Sequence, residues 1–170
     1  MENKLFKIKK SLREDWTTLP FLGLTFLGFV SAIIDFGFRQ NFKFQVFAVF
    51  GLVLLLFGGV IRMKARLHLK EKAGFNSLVG TSQLQIVNKH KLVTDGLYKH
   101  VRHPLYLGEI LRNLGVVILF SSVYGILIVS LASFFLLFRI QIEEKMLIAV
   151  FGEKYKVYKR RTKKLIPYIY

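Results

Sequence analysis

Cysteine is missing from this 170-residue chain, and acidic side chains are few: ten, against 26 lysines and arginines. Without cysteine there can be neither a disulfide scaffold nor a zinc–thiolate domain. The four histidines show no H-E-x-x-H or comparable spacing, which argues against metal ligation. No G-x-S-x-G elbow, P-loop or G-x-G-x-x-G occurs, so hydrolase and nucleotide-cradle chemistry lack support. Internal repeats and low-complexity segments are absent from the sequence as well.

Apolar residues, in contrast, make up 53% of the chain, beside a formal net charge of +16. A soluble domain of this size rarely combines the two, and a disordered tail does not. The apolar residues are also bunched. Segments 17–34, 44–61 and 113–138 hold no charged side chain, giving runs of 18, 18 and 26 residues. At about 1.5 Å per residue, such runs reach the thickness of a bilayer. They predict an all-α, polytopic integral membrane protein, one domain over residues 1–170. The basic residues flank the apolar runs, so positive-inside topology explains them without nucleic acid. Lys4, Lys7, Lys9, Lys10 and Arg13 precede the first run, as the n-region of a signal peptide would. That run is longer than a typical h-region and no small-residue cleavage site stands out, so it reads as a retained membrane helix.

Counting Lys and Arg by segment predicts the topology. Residues 1–19 hold five, 35–43 two, 62–103 nine and 144–170 eight. The three rich segments belong on one, cytoplasmic, side, and an even number of crossings must separate them. The long third run must then be a helical hairpin, turning at Ser121, Ser122 and Gly125, with limbs at 104–120 and 124–138. Four crossings with both termini cytoplasmic result. The limbs measure roughly 25 and 22 Å, short of the ~30 Å core, so the hairpin thins the bilayer or stops partway, with Arg139 snorkelling at its base. The basic stretch from Arg62 to Arg102 lies outside the bilayer on this count. Beyond the hairpin, Leu147, Phe151, Tyr155 and Tyr158 recur at helical spacing among lysines and arginines, which predicts an amphipathic helix with a break at Gly152.

Several residues do not belong in a plain membrane anchor. His103 and Pro104 open the first limb, and Glu109, Arg112 and Asn113 follow within three turns. Charges at membrane depth cost about 2.5–3.5 kcal/mol each on translocon scales, so they need partners or water. Glu109 and Arg112, at i and i+3, can simply neutralise each other. Arg139 precedes Glu143 by four residues and Glu144 by five. The pair is either an interfacial salt bridge or an anion-binding arginine beside a hydrogen-bonding carboxylate. His103 alone is more often structural than catalytic.

The order of these fragments carries more than any one of them. H-x-L-V-x-x-G-x-Y (90–98) is followed by R-H-P-x-Y (102–106), an apolar hairpin, R-x-x-x-E-E (139–144), F-G-E-x-Y-x-x-Y (151–158) and Pro167. Over about the last 90 residues the chain resembles the isoprenylcysteine carboxyl methyltransferase family, and membrane phospholipid N-methyltransferases share much of the pattern. The resemblance implies S-adenosylmethionine as cofactor, in a cytoplasmic-side pocket. It places Gln83, His90, Lys91, Leu92, Val93, Tyr98, His103, Pro104, Leu105, Tyr106 and Glu143 at that cofactor, and Arg139 at the carboxylate of the acceptor. It divides the chain into an N-terminal helical pair, 1–61, and a catalytic half, 62–170. The implied activity is carboxyl O-methylation of a lipophilic, isoprenylcysteine-like acceptor. The alternatives are lipid-amine N-methylation, or a non-catalytic membrane protein whose basic face binds anionic lipid or a partner.

The residue types suit that chemistry. A glutamate accepts from an amine or from ribose hydroxyls, and tyrosines offer aromatic faces with a polar tip. Transfer of a methyl group from a sulfonium to an anion removes two opposite charges, which a dry pocket favours if the ends are held in line. A carboxylate nucleophile needs no general base, whereas an amine must be deprotonated.

Overall fold

The computed structural model describes residues 16–39, 46–73 and 92–166, which form α-helices and no strand. In chain order these are α1 (Thr18–Arg39), α2 (Val46–Ala73), a 3-10 turn (Gly96–Lys99), α3 (Pro104–Leu119), α4 (Val123–Phe151) and α5 (Glu153–Arg161). Three stretches, Thr18–Phe38, Phe47–Lys72 and Val123–Phe151, are long and apolar enough to cross a membrane. Their outward faces are large and apolar, with Leu19, Phe26, Phe38, Phe47, Phe57, Leu127 and Phe134 all exposed. A protein whose helices show such side chains outward has lipid for a solvent.

The expected hairpin is there. Leu119 ends α3, Ser121 adopts φ +53°, and Ser122 opens α4. Ser122 Oγ accepts the Gly125 N–H at 2.9 Å as an N-cap and donates to Asp35 Oδ2 at 2.6 Å, tying this turn to the end of α1. Its second limb differs from expectation. It does not stop at Phe138: α4 is one 29-residue helix to Phe151, about 43 Å long. Nothing in the stretch from Phe138 to Met146 breaks a helix, and the charged residues there find partners within the protein. Arg139 therefore does not snorkel; it is 1% exposed. α3 is the short limb, 16 residues and about 24 Å.

α2 departs in the same sense. It continues through Ala73, three turns beyond the apolar run, because Met63, Lys64, Ala65, Arg66 and Leu67 are all strong helix formers. Gly152, at φ +58°, makes the expected break between α4 and α5.

Glycines set how closely α2 and α3 approach. A Cβ on Gly58 would lie 2.7 Å from the Gly108 carbonyl oxygen, and one on Gly108 would lie 2.7 Å from that of Gly58. Gly51 and Gly115 meet in the same way one heptad along, so the two helices run antiparallel, backbone against backbone. In lipid, where the hydrophobic effect does not draw helices together, such contact supplies the packing energy. α1 lies along α4, with Gly28 against Val129 and Ala32 buried beside Val129 and Val117. These pairings bring Thr18, the C-terminal turns of α2, Pro104 and the second half of α4 to one end of the bundle. The 120–122 turn and Asp35 occupy the other.

Candidate functional site

At the first of these ends, two non-helical segments meet. Val101 pairs with Lys163 as an isolated parallel bridge, with Arg102 N–H donating to the Lys163 carbonyl at 2.8 Å and His103 N–H to that of Lys164 at 3.1 Å. The approach to α3 is thereby fastened to the exit from α5. Arg102 reinforces the junction. Its Nη1 donates to the carbonyls of Lys159 (3.1 Å) and Thr162, groups that the end of α5 leaves without helical partners. Its Nε donates to Glu144 Oε1 at 2.7 Å.

The adjacent glutamates have different surroundings. Glu144, 4% exposed, faces Arg102, His103 (Nε2 to Oε1, 3.4 Å) and Lys159 (Nζ to Oε2, 2.7 Å). Both of its oxygens are occupied. Glu143, about 100° further round α4, has Oε2 buried with no hydrogen bond, 3.7 Å from His103 Nδ1. That carboxylate oxygen has lone pairs to offer.

His103 is held between these carboxylates at 4% exposure, its ring 5.8 Å from that of Tyr106. The Tyr106 hydroxyl accepts from Arg139 Nε at 3.1 Å, and Arg139 Nη1 donates to Thr18 Oγ1 of α1. Arg139 thus sits one turn before Glu143 on α4, touching the first helix as well as the third. Val93 and Tyr98 pack with Ala65 of α2, flanked by Leu97 and Leu105. The Tyr98 carbonyl accepts from the Tyr158 hydroxyl at 2.7 Å. Burial, and then the Glu143 carboxylate, push the Tyr98 phenol well above its ordinary value, so it is neutral at physiological pH. The segment leading here is anchored on α2, where His68 Nε2 lies 2.7 Å from Asp95 Oδ1 and Lys72 Nζ 3.6 Å from Oδ2. Gly96, at φ +58°, packs against the His68 ring.

Of the residues picked out from the sequence, Val93, Tyr98, His103, Pro104, Leu105, Tyr106, Arg139 and Glu143 converge at this end; Leu92 leads into it. Gln83, His90 and Lys91 lie outside the described residues. Glu109 and Arg112 do pair, at 2.7 Å, but not alone: Arg62 of α2 also pairs with Glu109, and Asn113 Nδ2 donates to it at 3.3 Å. The Arg62 contact was not legible, since Arg62 reads as the first residue of a basic loop. Lys159 and Thr18 were also missed. Arg102 and Glu144 stood within the quoted motifs, adjacent to His103 and Glu143, but were given no place at the cofactor.

Fold and site together define a helical integral membrane protein with a charged, largely buried constellation at one end of its helices. A sequence profile of the isoprenylcysteine carboxyl methyltransferase (ICMT) family matches residues 50–149. The protein-S-isoprenylcysteine O-methyltransferase of Schizosaccharomyces pombe is 32% identical over 86% of this chain and 61% of its own length. A methanethiol S-methyltransferase of Crocosphaera subtropica is 40% identical over 46% of this chain and 30% of its own. The solved structure of a eukaryotic intramembrane Ras methyltransferase, an isoprenylcysteine carboxyl methyltransferase, superposes with a TM-score of 0.70 at 32% identity, covering 84% of this chain and 52% of that one. The chain belongs to the isoprenylcysteine carboxyl methyltransferase family. It spans between 30% and 61% of the length of these relatives.

Proposed function

We propose that this protein is an S-adenosylmethionine-dependent methyltransferase whose acceptor is a lipophilic carboxylate of the isoprenylcysteine kind. The observation that carries the reading is Arg139: a guanidinium 1% exposed, within an apolar helix, one turn from a carboxylate oxygen that lacks a hydrogen-bond partner. Residues at i and i+4 share a helix face, so Arg139 addresses an acceptor arriving from the bilayer while Glu143 addresses the cofactor. The residues fit S-adenosylmethionine: Glu143 Oε2 suits its amine or ribose hydroxyls, with His103, Tyr98 and Tyr106 around it and Val93 and Leu105 as apolar lining. Residues 90–91 and Gln83 complete the set by resemblance. When bound, the cofactor supplies a methyl group on a sulfonium as electrophile.

The rest falls to the chain. Arg139 orients and partly neutralises the acceptor carboxylate with two parallel N–H groups, so that one oxygen points in line. No side chain has to take a proton, because the nucleophile is already an anion. Tyr106 and Thr18 fix the guanidinium, and the Arg102–Glu144–Lys159 cluster holds α4 against the segment that precedes α3. Water exclusion by the surrounding helices strengthens each of these interactions. The catalytic half is 62–170, with the acceptor approaching through lipid and the cofactor from the cytoplasmic side.

The methanethiol methyltransferase relative favours a second reading, a small thiol as acceptor, in which Arg139 stabilises a thiolate. Transfer of a labelled methyl group by purified protein tests both. A base-labile product on a prenylcysteine carboxylate supports the first reading, and a thioether from an alkanethiol the second. Labelling of neither, with no cofactor bound, would overturn the assignment to a methyltransferase.

A further inference from the structure

Around Glu143 and Glu144 the polar groups are closely matched. Both Glu144 oxygens are occupied, Arg102 serves three acceptors, and the Tyr158 hydroxyl donates to the Tyr98 carbonyl. Among these described residues two buried atoms stand out with no hydrogen bond: Glu143 Oε2 and the hydroxyl of Tyr155. Tyr155 is 1% exposed, more deeply set than Tyr158, which follows one turn later on α5 with its ring 5.8 Å away. The two tyrosines therefore differ in kind. Tyr158 is a strut between α5 and the 3-10 turn, whereas Tyr155 carries a buried hydroxyl with no partner, on a helix packed against α4, whose last turns bear Glu143 and Glu144.

A phenol hydroxyl buried without a partner is unfavourable, and native proteins keep few of them. Such a group persists where a molecule absent from the chain itself completes it. Burial, then the Glu144 and Glu143 carboxylates, hold the Tyr155 phenol far above its ordinary value, so it is a protonated donor at neutral pH. A carboxylate such as that of Glu143 is an acceptor only. One donor and one acceptor, both unmatched at the same end of the bundle, complement a ligand that offers one of each. An α-amino acid group does so through its ammonium and its carboxylate.

We infer that Tyr155 is a further cofactor-contacting residue, its hydroxyl donating to the carboxylate at the amino-acid end of S-adenosylmethionine while Glu143 accepts from the ammonium. This rests on the proposed methyltransferase function. It adds to the site a residue from α5, so the helix beyond Gly152 closes over the amino-acid end of the ligand and is more than a surface appendage.

The test uses Tyr155→Phe, which keeps the ring, in the full chain in detergent. Cofactor binding is followed by titration calorimetry, with S-adenosylmethionine and with its decarboxylated analogue as probes. Loss of one hydrogen bond to a charged carboxylate weakens S-adenosylmethionine by about ten- to a hundredfold. The decarboxylated analogue, lacking the group that Tyr155 contacts, binds wild type and variant alike. Ligand-free Tyr155→Phe melts at the wild-type temperature or above, because the unmatched hydroxyl has been removed. Unchanged S-adenosylmethionine affinity, equal losses for both probes, or a lower ligand-free melting temperature each overturn the inference alone. If wild type binds neither probe, the proposed function goes with it.

Discussion

Two neighbouring glutamates show how much one helical step decides. Glu144 joins Arg102, His103 and Lys159, so its carboxylate belongs to the architecture, while Glu143 has an oxygen without a hydrogen bond, which the proposed function gives to the cofactor. Glu143→Gln should weaken S-adenosylmethionine by a charge-assisted hydrogen bond, about 1.5–3 kcal/mol, and leave stability nearly unchanged. Glu144→Gln should do the reverse, lowering unfolding free energy by about 1–3 kcal/mol with a smaller effect on affinity in the variant that remains folded. Cofactor titration beside thermal unfolding separates them, and matching behaviour of the two variants would refute the division of labour. The sequence presented E-E as one motif. It could not say which member faces the basic cluster, because that depends on where α5 and the 101–103 segment come to rest. His103, Tyr106, Arg139 and Glu143 were legible because they form an ordered series along the chain. Thr18, Arg62 and Lys159 were not, since each reaches the charged groups from an element distant in sequence.

In the proposed function, Arg139 carries the choice of acceptor. Its planar fork makes bidentate contact with a carboxylate, which a lysine ammonium cannot copy. Arg139→Lys should reduce kcat/KM on a prenylcysteine carboxylate at least tenfold, as expected for about 1.4 kcal/mol or more of lost orientation, with cofactor Kd near wild type. Near-wild-type turnover on that acceptor would remove the role given to this arginine. Asp95, on the surface, shows a pH effect of a different kind. The hydrogen bond from His68 holds its carboxyl below the usual carboxylate range. Its contribution to docking the segment on α2 is therefore complete above the ordinary value of about 3.9 and is lost as pH falls through the lower folded value. Asp95→Asn should flatten that acid limb of the unfolding profile, and an unaltered limb would show that the contact does nothing for stability.

At the scale of elements, the close approach of α2 and α3 sets the position of every group that α3 presents. Gly108 lies two residues from Tyr106 and next to Glu109, and a Cβ there would meet the Arg62 backbone nitrogen and the Gly58 carbonyl, each at 2.7 Å. Neither neighbour is a flexible side-chain end, so the helices must part. Gly108→Ala should cost about 1–3 kcal/mol of stability and lower activity as Tyr106 moves away from Arg139. Gly23 on α1 has nothing within 4 Å of a built Cβ, and Gly23→Ala should be neutral or slightly stabilising through helix propensity. Detergent-solubilised melting curves for both decide it: equal effects would mean that glycine close packing does not hold the pair. The elements themselves were largely legible, because uncharged runs and a Ser-Ser turn mark helices and their ends. Their lengths were less so. Charged residues were taken as the limits of α2 and α4, yet both helices continue through them, since Arg62 pairs with Glu109 and Arg139 donates to Tyr106 and Thr18 within the protein.

For the molecule as a whole, the open question is its sidedness. The antiparallel pairs α2–α3 and α1–α4 bring Thr18, Lys99, Arg139 and Lys154 towards one end, and Asp35 and Ser121 towards the other. Among the described residues, the lysines and arginines of 62–73 and 92–103, seven in number, and the eight of 144–166 belong to the first end. Positive-inside bias predicts that this end is cytoplasmic. Under the proposed function, the constellation of His103, Glu143 and Glu144 then meets a cytoplasmic cofactor, with Arg139 at membrane depth for a lipophilic acceptor. α3, about 24 Å long, is too short for a ~30 Å core by itself, so the bilayer must thin beside it or the 120–122 turn must lie below the far surface. Absence of native cysteine makes the measurement clean. Single cysteines replacing Lys99, Lys154 and Ser121, all exposed, are probed in intact and in permeabilised cells with a membrane-impermeant maleimide. Lys99→Cys and Lys154→Cys should label only after permeabilisation, and Ser121→Cys from outside, more slowly if its turn is submerged. Labelling of Lys99→Cys and Lys154→Cys from opposite sides would break the hairpin, because an odd number of crossings would then separate the two halves of the site. Labelling of both from outside would keep the fold but invert it, and would deprive the site of its cytoplasmic cofactor.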